Sequence, residues 1–359
     1  MKAETITVTF WDHLSEWSLL ALVGLLPIFF LPLTTAPLES NRQFLLLLLV
    51  VVGLLSYLMK VFNTSALSYP RGPLALAVLG LVLVTSLSAL TSRSPWLSLG
   101  GYLEQADSLL VVVLSALVFF LVSVVVNHGG ESALKRLSLA FLAGVGLAVL
   151  LGLLSAFKLY IFPWVWAKQP SFNLVGSTLS WVILSALVLI LLLSWIFSLK
   201  SKLAWSNAYL WPSLLGVVCL GAVAIVNYPP LWLTIGTVLL VLAATQLVLT
   251  SKVKSVLVLV IGLALFLGLI GDRWSSKVLL SPEPRPSFFQ TLQVATGSWG
   301  WTRWFLGTGP ATFGQNYLPY RPALEWSLAD GNFRFHQGFS FWTTILSTLG
   351  LGGFLVWLW

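Results

Sequence analysis

Apolar runs long enough to cross a membrane recur along almost the whole chain, and no other feature limits the fold as strongly. A membrane-crossing helix needs about 20 predominantly apolar residues. Such runs fall at 17–35, 44–62, 73–91, 107–126, 138–157, 176–198, 208–228, 230–250 and 255–271, and a last one occupies 338–359. They are too long for barrel strands and lack the alternation that a barrel requires. Hydrocarbon offers the backbone no water, so each run must satisfy its own hydrogen bonds, and a helix does this. The expected fold class is an all-α polytopic integral membrane protein of about ten transmembrane helices, forming a single membrane domain over 1–359. The last run is still apolar at Trp359, so further helices are expected beyond it.

The chain is 58% hydrophobic and only 8% charged. A soluble domain carries about 25% charged residues, so the expected solvent and first partner is the lipid bilayer. Many of the 18 tryptophans stand near the ends of apolar runs, where amphipathic rings favour the membrane–water interface. The net charge of +8 comes from Lys and Arg scattered singly, without the basic stripe that would point to nucleic acid. The one cysteine, Cys219, lies inside an apolar run and provides neither an intrachain disulfide nor a metal motif. Residues 1–16 lack the order of a cleavable signal, so the first apolar run is expected to act as an uncleaved insertion signal.

Basic residues in short loops set orientation. With the N-terminus in the cytoplasm, nine fall inside (Lys2, Lys60, Arg71, Lys135, Arg136, Lys200, Lys202, Lys252, Lys254) and four outside (Arg42, Arg93, Lys158, Lys168). The N-in arrangement is therefore expected, and it puts residues 272–337 outside the cytoplasm. The expected location is the inner (cytoplasmic) membrane. Charge inside the runs is almost absent, which argues against an ion-coupled transporter. No internal repeat supports an inverted-repeat transporter either.

The 272–337 loop concentrates the remaining chemistry. It holds Arg285, Arg303, Arg321 and Arg334, the carboxylates Glu325 and Asp330, and His336. Gly307-Thr308-Gly309-Pro310 reads as a turn. Phe288, Phe289 and Leu292 recur at near-helical spacing and suggest a short amphipathic helix on the membrane. Arginine forks pair bidentately with phosphate oxygens, so these arginines suit a diphosphate, although lipid headgroups would satisfy them too. The imidazole of His336 suits a general base; Asp330 or Glu325 offers an alternative. No group of residues has metal-ligand spacing, and no cofactor is expected.

Several stretches resemble the O-antigen ligase / O-antigen polymerase superfamily of bacterial membrane glycosyltransferases. Arg285-Pro286-Ser287 opens the loop helix as a family arginine does. Leu306-Gly307-Thr308-Gly309-Pro310-Ala311-Thr312-Phe313 is similar to a family turn and runs on to Tyr317-Leu318-Pro319-Tyr320-Arg321-Pro322. Ser347-Thr348-Leu349-Gly350-Leu351-Gly352-Gly353 resembles the start of the following helix. Upstream, Ser98-Leu99-Gly100-Gly101 and Phe172-Asn173-Leu174-Val175-Gly176-Ser177 match the same pattern. The resemblance departs at His336-Gln337-Gly338-Phe339-Ser340, where Ser340 stands in the place of a frequent family Asn.

The resemblance implies transfer of a glycan from a polyprenyl diphosphate carrier to an acceptor hydroxyl outside the cytoplasm. The acceptor would be a lipid core, a growing glycan or a protein, and neither nucleotide sugar nor metal would take part. It implies a catalytic histidine, which falls on His336, and diphosphate-binding arginines, which fall on Arg285, Arg303, Arg321 and Arg334. A polymerase of cell-surface polysaccharide is the nearest alternative. A lipid or polysaccharide transporter and an inactive structural membrane protein are alternatives of another class.

Overall fold

The computed structural model describes residues 10–32, 38–65, 67–101, 105–198, 207–249, 262, 280–300, 303–321 and 335–359. All regular structure among them is helical: α1 (Phe10–Leu25), α2 (Glu39–Thr64), α3 (Pro73–Leu90), α4 (Pro95–Gly100), α5 (Leu109–Ala156), α6 (Thr178–Ser198), α7 (Asn207–Val226), α8 (Pro229–Leu249), α9 (Phe288–Trp299), α10 (Phe313–Tyr320) and α11 (Phe341–Leu358). Five of them, α2, α3, α5, α6 and α11, are long and apolar enough to cross a membrane. α5 has 48 residues and breaks at Gly130 (φ 59°, ψ −146°), so it carries the expected runs 107–126 and 138–157 one after the other. The expected run at 255–271 lies outside the described residues, apart from Gly262.

The first helix departs from the expected 17–35. It begins at Phe10 and ends at Leu25, just before Pro27. Proline disfavours helical backbone in the residue ahead of it, and here the Leu25 carbonyl instead accepts the N–H groups of Ile28 and Phe29. At the other end Asp12 and Glu16 lie within the helix and each finds a cation. Lys60 Nζ lies 2.6 Å from Asp12, and Arg136 Nη2 lies 2.5 Å from Glu16.

The chain divides into two compact units. One comprises 1–22, 30–137 and 284–359; the other comprises 23–29 and 138–283. In the first, Leu48, Val51, Leu55 and Phe62 of α2 and Leu79, Leu83 and Leu87 of α3 are exposed. In water each would forgo on the order of 2 kcal/mol of burial, so these faces suit a lipid environment. In the second unit α6 packs on α7 and α8 around Trp181, Val182, Cys219, Val223, Trp232 and Ile235. Lipid tails are as apolar as these side chains, so close fit rather than water exclusion holds such helices together.

The Phe172–Ser177 stretch forms the entry to α6. Asn173 Oδ1 accepts the Gly176 N–H at 3.0 Å, closing a turn. Glu283 then caps the helix, its two carboxylate oxygens accepting the N–H groups of Thr178 and Leu179. These N–H groups have no partner within the helix, and negative charge is favoured at that end.

In the first unit α3 and α9 pack on α11, and α10 packs against α9 and α11. α9 and α11 each begin with a capping box, Ser287 with Gln290 and Ser340 with Thr343. The helix expected from Phe288, Phe289 and Leu292 is present, but those three side chains are its exposed face. α9 buries its small side, Thr291, Val294, Ala295 and Ser298. Val294 joins Phe313, Tyr317, Tyr320 and Phe335 in a small core between α9 and α10.

Candidate functional site

The site is built on a break in α11. Gly350 takes φ 66°, ψ −166°, which interrupts the helix and frees backbone groups on both sides. Trp299 and residues 304–309 take up several of them. Leu351 and Gly352 donate their N–H groups to the carbonyls of Trp304 (2.9 Å) and Phe305 (2.8 Å). The Ser347 carbonyl accepts the Trp299 indole N–H at 2.9 Å, and the Thr348 carbonyl accepts the Gly309 N–H at 2.9 Å. A broken helix at membrane depth is tolerated only where neighbouring groups satisfy its backbone in this way.

The expected turn residues Gly307, Gly309 and Pro310 lie in an irregular stretch that is buried where it crosses the break. A Cβ on Gly350 would lie 2.6 Å from the Gly307 nitrogen and 2.6 Å from the Phe305 carbonyl oxygen. Gly309 has φ 115°, and a Cβ there would strike the hydroxyls of Ser92 and Ser98. Those serines belong to a polar wall. Ser88 Oγ donates to the Leu306 carbonyl (2.6 Å), Ser92 Oγ to the Thr308 carbonyl (2.9 Å), and Ser98 Oγ to Ser92 Oγ (2.7 Å). On the loop side Asn316 Nδ2 donates to Thr308 Oγ1 at 2.7 Å, tying α10 to the crossing.

His336 is half-buried beside the first turn of α10. Its Nδ1 lies 3.4 Å from Gln105 Nε2, and a Cβ on Gly314 would come within 2.9 Å of the same atom. The Gln105 carbonyl accepts the Gln43 side-chain N–H at 2.9 Å, which ties this segment to α2. Two residues on, Asp107 meets the same stretch of loop. Its carboxyl accepts the backbone N–H groups of Asp107 itself and of Ala311, which is held at φ 59°. Burial pushes the Asp107 carboxyl up from 3.8 to about 6, and the two N–H groups only partly offset this. Asp107 Oδ2 is buried and has no hydrogen-bond partner among the described residues.

The expected arginines divide. Arg303 follows α9; its carbonyl accepts the Gly307 N–H at 2.8 Å, so it is anchored to the crossing. Its Nη1 is buried and has no hydrogen-bond partner among the described residues. Arg321 ends α10 and is half-buried, whereas Arg285 is exposed ahead of α9. Glu325, Asp330 and Arg334 lie outside the described residues. Arg93, counted above only as a topological charge, donates from Nη1 to the Tyr320 hydroxyl at 3.5 Å.

Sequence reasoning passed over Gln105 and Asp107. Signals existed: Asp107 stands at the edge of an apolar run, where ionisable residues are uncommon. Ser88 and Ser92 are four residues apart, on one face of the helix end. A second polar cluster surrounds a cavity of 320 Å³ lined by Asp12, His13, Glu16, Lys60, His128 and Arg136, among others. His128 Nδ1 donates there to the Val124 carbonyl at 2.7 Å. Among the described residues no three His, Cys, Asp or Glu side chains gather as a metal ion would need. Comparison with family models, with curated proteins and with solved structures finds no match for this chain.

Proposed function

We propose that this protein is an O-antigen ligase-like glycosyltransferase, which moves a glycan from a polyprenyl diphosphate carrier to an acceptor hydroxyl outside the cytoplasm. In this reading the N-terminus is cytoplasmic, the chain crosses a bacterial inner membrane about ten times, and the 272–337 loop is the extracytoplasmic reaction layer.

The observation that carries the reading is the buried Nη1 of Arg303 beside a loop locked onto a broken membrane helix. An unmet buried donor costs about 1–3 kcal/mol, and more for a charged group, so the site is incomplete without an acceptor. A buried guanidinium with an open donor suits the diphosphate of a lipid carrier. His336, or the carboxylates Asp330 and Glu325, would take the proton from the acceptor hydroxyl. The acceptor oxygen then bonds to the anomeric carbon, the bond from that carbon to the diphosphate oxygen breaks, and the electron pair leaves with the diphosphate. Fixed cations stabilise the charge that develops there.

The test is a cell-based transfer assay with Arg303→Ala and His336→Ala, scoring membrane insertion in parallel. Both variants are expected to insert normally and to lose transfer. Normal transfer by Arg303→Ala would remove the arginine from the mechanism. A wild-type chain that transfers to no acceptor would favour the transporter or structural reading.

A further inference from the structure

A base needs a defined tautomer. Neutral imidazole carries one proton, and the partner of one ring nitrogen decides what the other can do. For His336 Nε2 to take a proton from an acceptor, Nδ1 must already carry one, and something must receive that N–H. Gln105 is placed to do so: its amide nitrogen lies 3.4 Å from Nδ1, and the amide oxygen takes that place when the amide turns over. A half-turn of an amide exchanges its oxygen and nitrogen at the same place, so position determines the pairing and the proton count determines which end faces the ring.

The surroundings hold this pair in place. Gln105 is 2% exposed, and its carbonyl is tied to Gln43 of α2. Three residues later Ser108 begins α5, its carbonyl accepting the Val112 N–H at 3.1 Å. The Gly314 backbone of α10 also lies against the ring, with room for no Cβ. Both contacts converge on the same atom, Nδ1.

We propose that Gln105 is the positioning residue of the transfer reaction: it receives the Nδ1–H of His336 through its amide oxygen and so presents Nε2 to the acceptor hydroxyl. This rests on the glycan-transfer reading given above. During transfer the acceptor O–H proton moves to Nε2, Nδ1 keeps its own, and the resulting imidazolium stays bonded to the amide oxygen.

The experiment has two independent readouts on the full chain in lipid nanodiscs. The first is nitrogen NMR of histidine-labelled protein at a pH where the ring is neutral. The chain has 3 histidines, so the His336 signals are assigned by their loss in His336→Gln. The second is transfer kinetics. Nδ1 is expected to be protonated in the wild type and in Gln105→Glu, whose carboxylate is an obligate acceptor. Gln105→Leu is expected to lose that preference, with a drop on the order of a hundred-fold in kcat and little change in donor KM. Gly314→Ala, which suits a helix and crowds the ring at Nδ1, is expected to disturb the same nitrogen signals. If Gln105→Leu leaves both tautomer and kcat unchanged, the proposal is overturned while the transfer reading stands. If the tautomer follows residue 105 but the wild type transfers nothing, Gln105 still positions His336 and the transfer reading fails.

Discussion

Replacing Asp107 by Asn removes a carboxylate that burial disfavours while leaving an oxygen for the Ala311 N–H. The carboxyl is raised from 3.8 to about 6 in the folded chain. In the unfolded chain it titrates near its ordinary value, so between those two pH values the folded state holds the extra proton. Stability therefore falls as pH rises through this window, and the loss is complete above about pH 6. At about 1.4 kcal/mol per pH unit, the interval corresponds to about 3 kcal/mol, an upper value because the site can relax. Gly309, Pro310 and Ala311 are buried against the same wall, which limits that relaxation. Unfolding of wild type and Asp107→Asn should be followed in mixed micelles from pH 4.5 to 7.5. The variant is expected to gain about 1 kcal/mol at pH 4.5 and about 3 kcal/mol at pH 7.5, with the rise levelling off above about pH 6.5. A difference that stays constant across this range would refute the reasoning, because it would mean that Asp107 carries the same charge in both states.

Gly309→Ala should destabilise the loop by several kcal/mol, since φ 115° and the collision with Ser92 and Ser98 act together; a melting temperature equal to wild type would contradict the buried crossing. Glu283→Gln should cost about 1 kcal/mol by weakening the α6 cap, read as a small loss of stability that shrinks in high salt. Lys60→Leu should cost about 3 kcal/mol because it leaves Asp12 charged at a poorly solvated place. Most of that loss should return when Asp12→Leu is added, and a strictly additive double variant would show that the two side chains do not interact.

Helix positions were legible because lipid leaves the backbone one choice. The runs 73–91, 176–198 and 230–250 coincide closely with α3, α6 and α8. Length and apolarity alone carry that information. The short loop helix was legible too, from its spacing. Phe288, Phe289 and Leu292 were read as the apolar face of a helix on the membrane, and they form its exposed side; the side that packs on protein, Thr291, Val294, Ala295 and Ser298, was not read. Apolarity says that a face avoids water, not whether lipid or protein covers it.

The arrangement of the site belongs to the tertiary structure. The Gly307–Pro310 stretch reads as a turn in sequence, because glycine and proline mark turns wherever they stand. Only contact with Ser92, Ser98 and the break at Gly350 makes it a buried crossing. Gln105 and His336 are 231 residues apart in the chain, and Asp107 is an unremarked acid ahead of an apolar run. Local patterning in a sequence reports on neighbours within a few residues, whereas an unmet hydrogen bond or a raised carboxyl depends on which distant backbone comes to lie against it. The sequence by itself determined a membrane-spanning helical chain with one polar loop. Which polar residues meet, and which remain unpaired, was decided by the folding of that loop onto a broken helix.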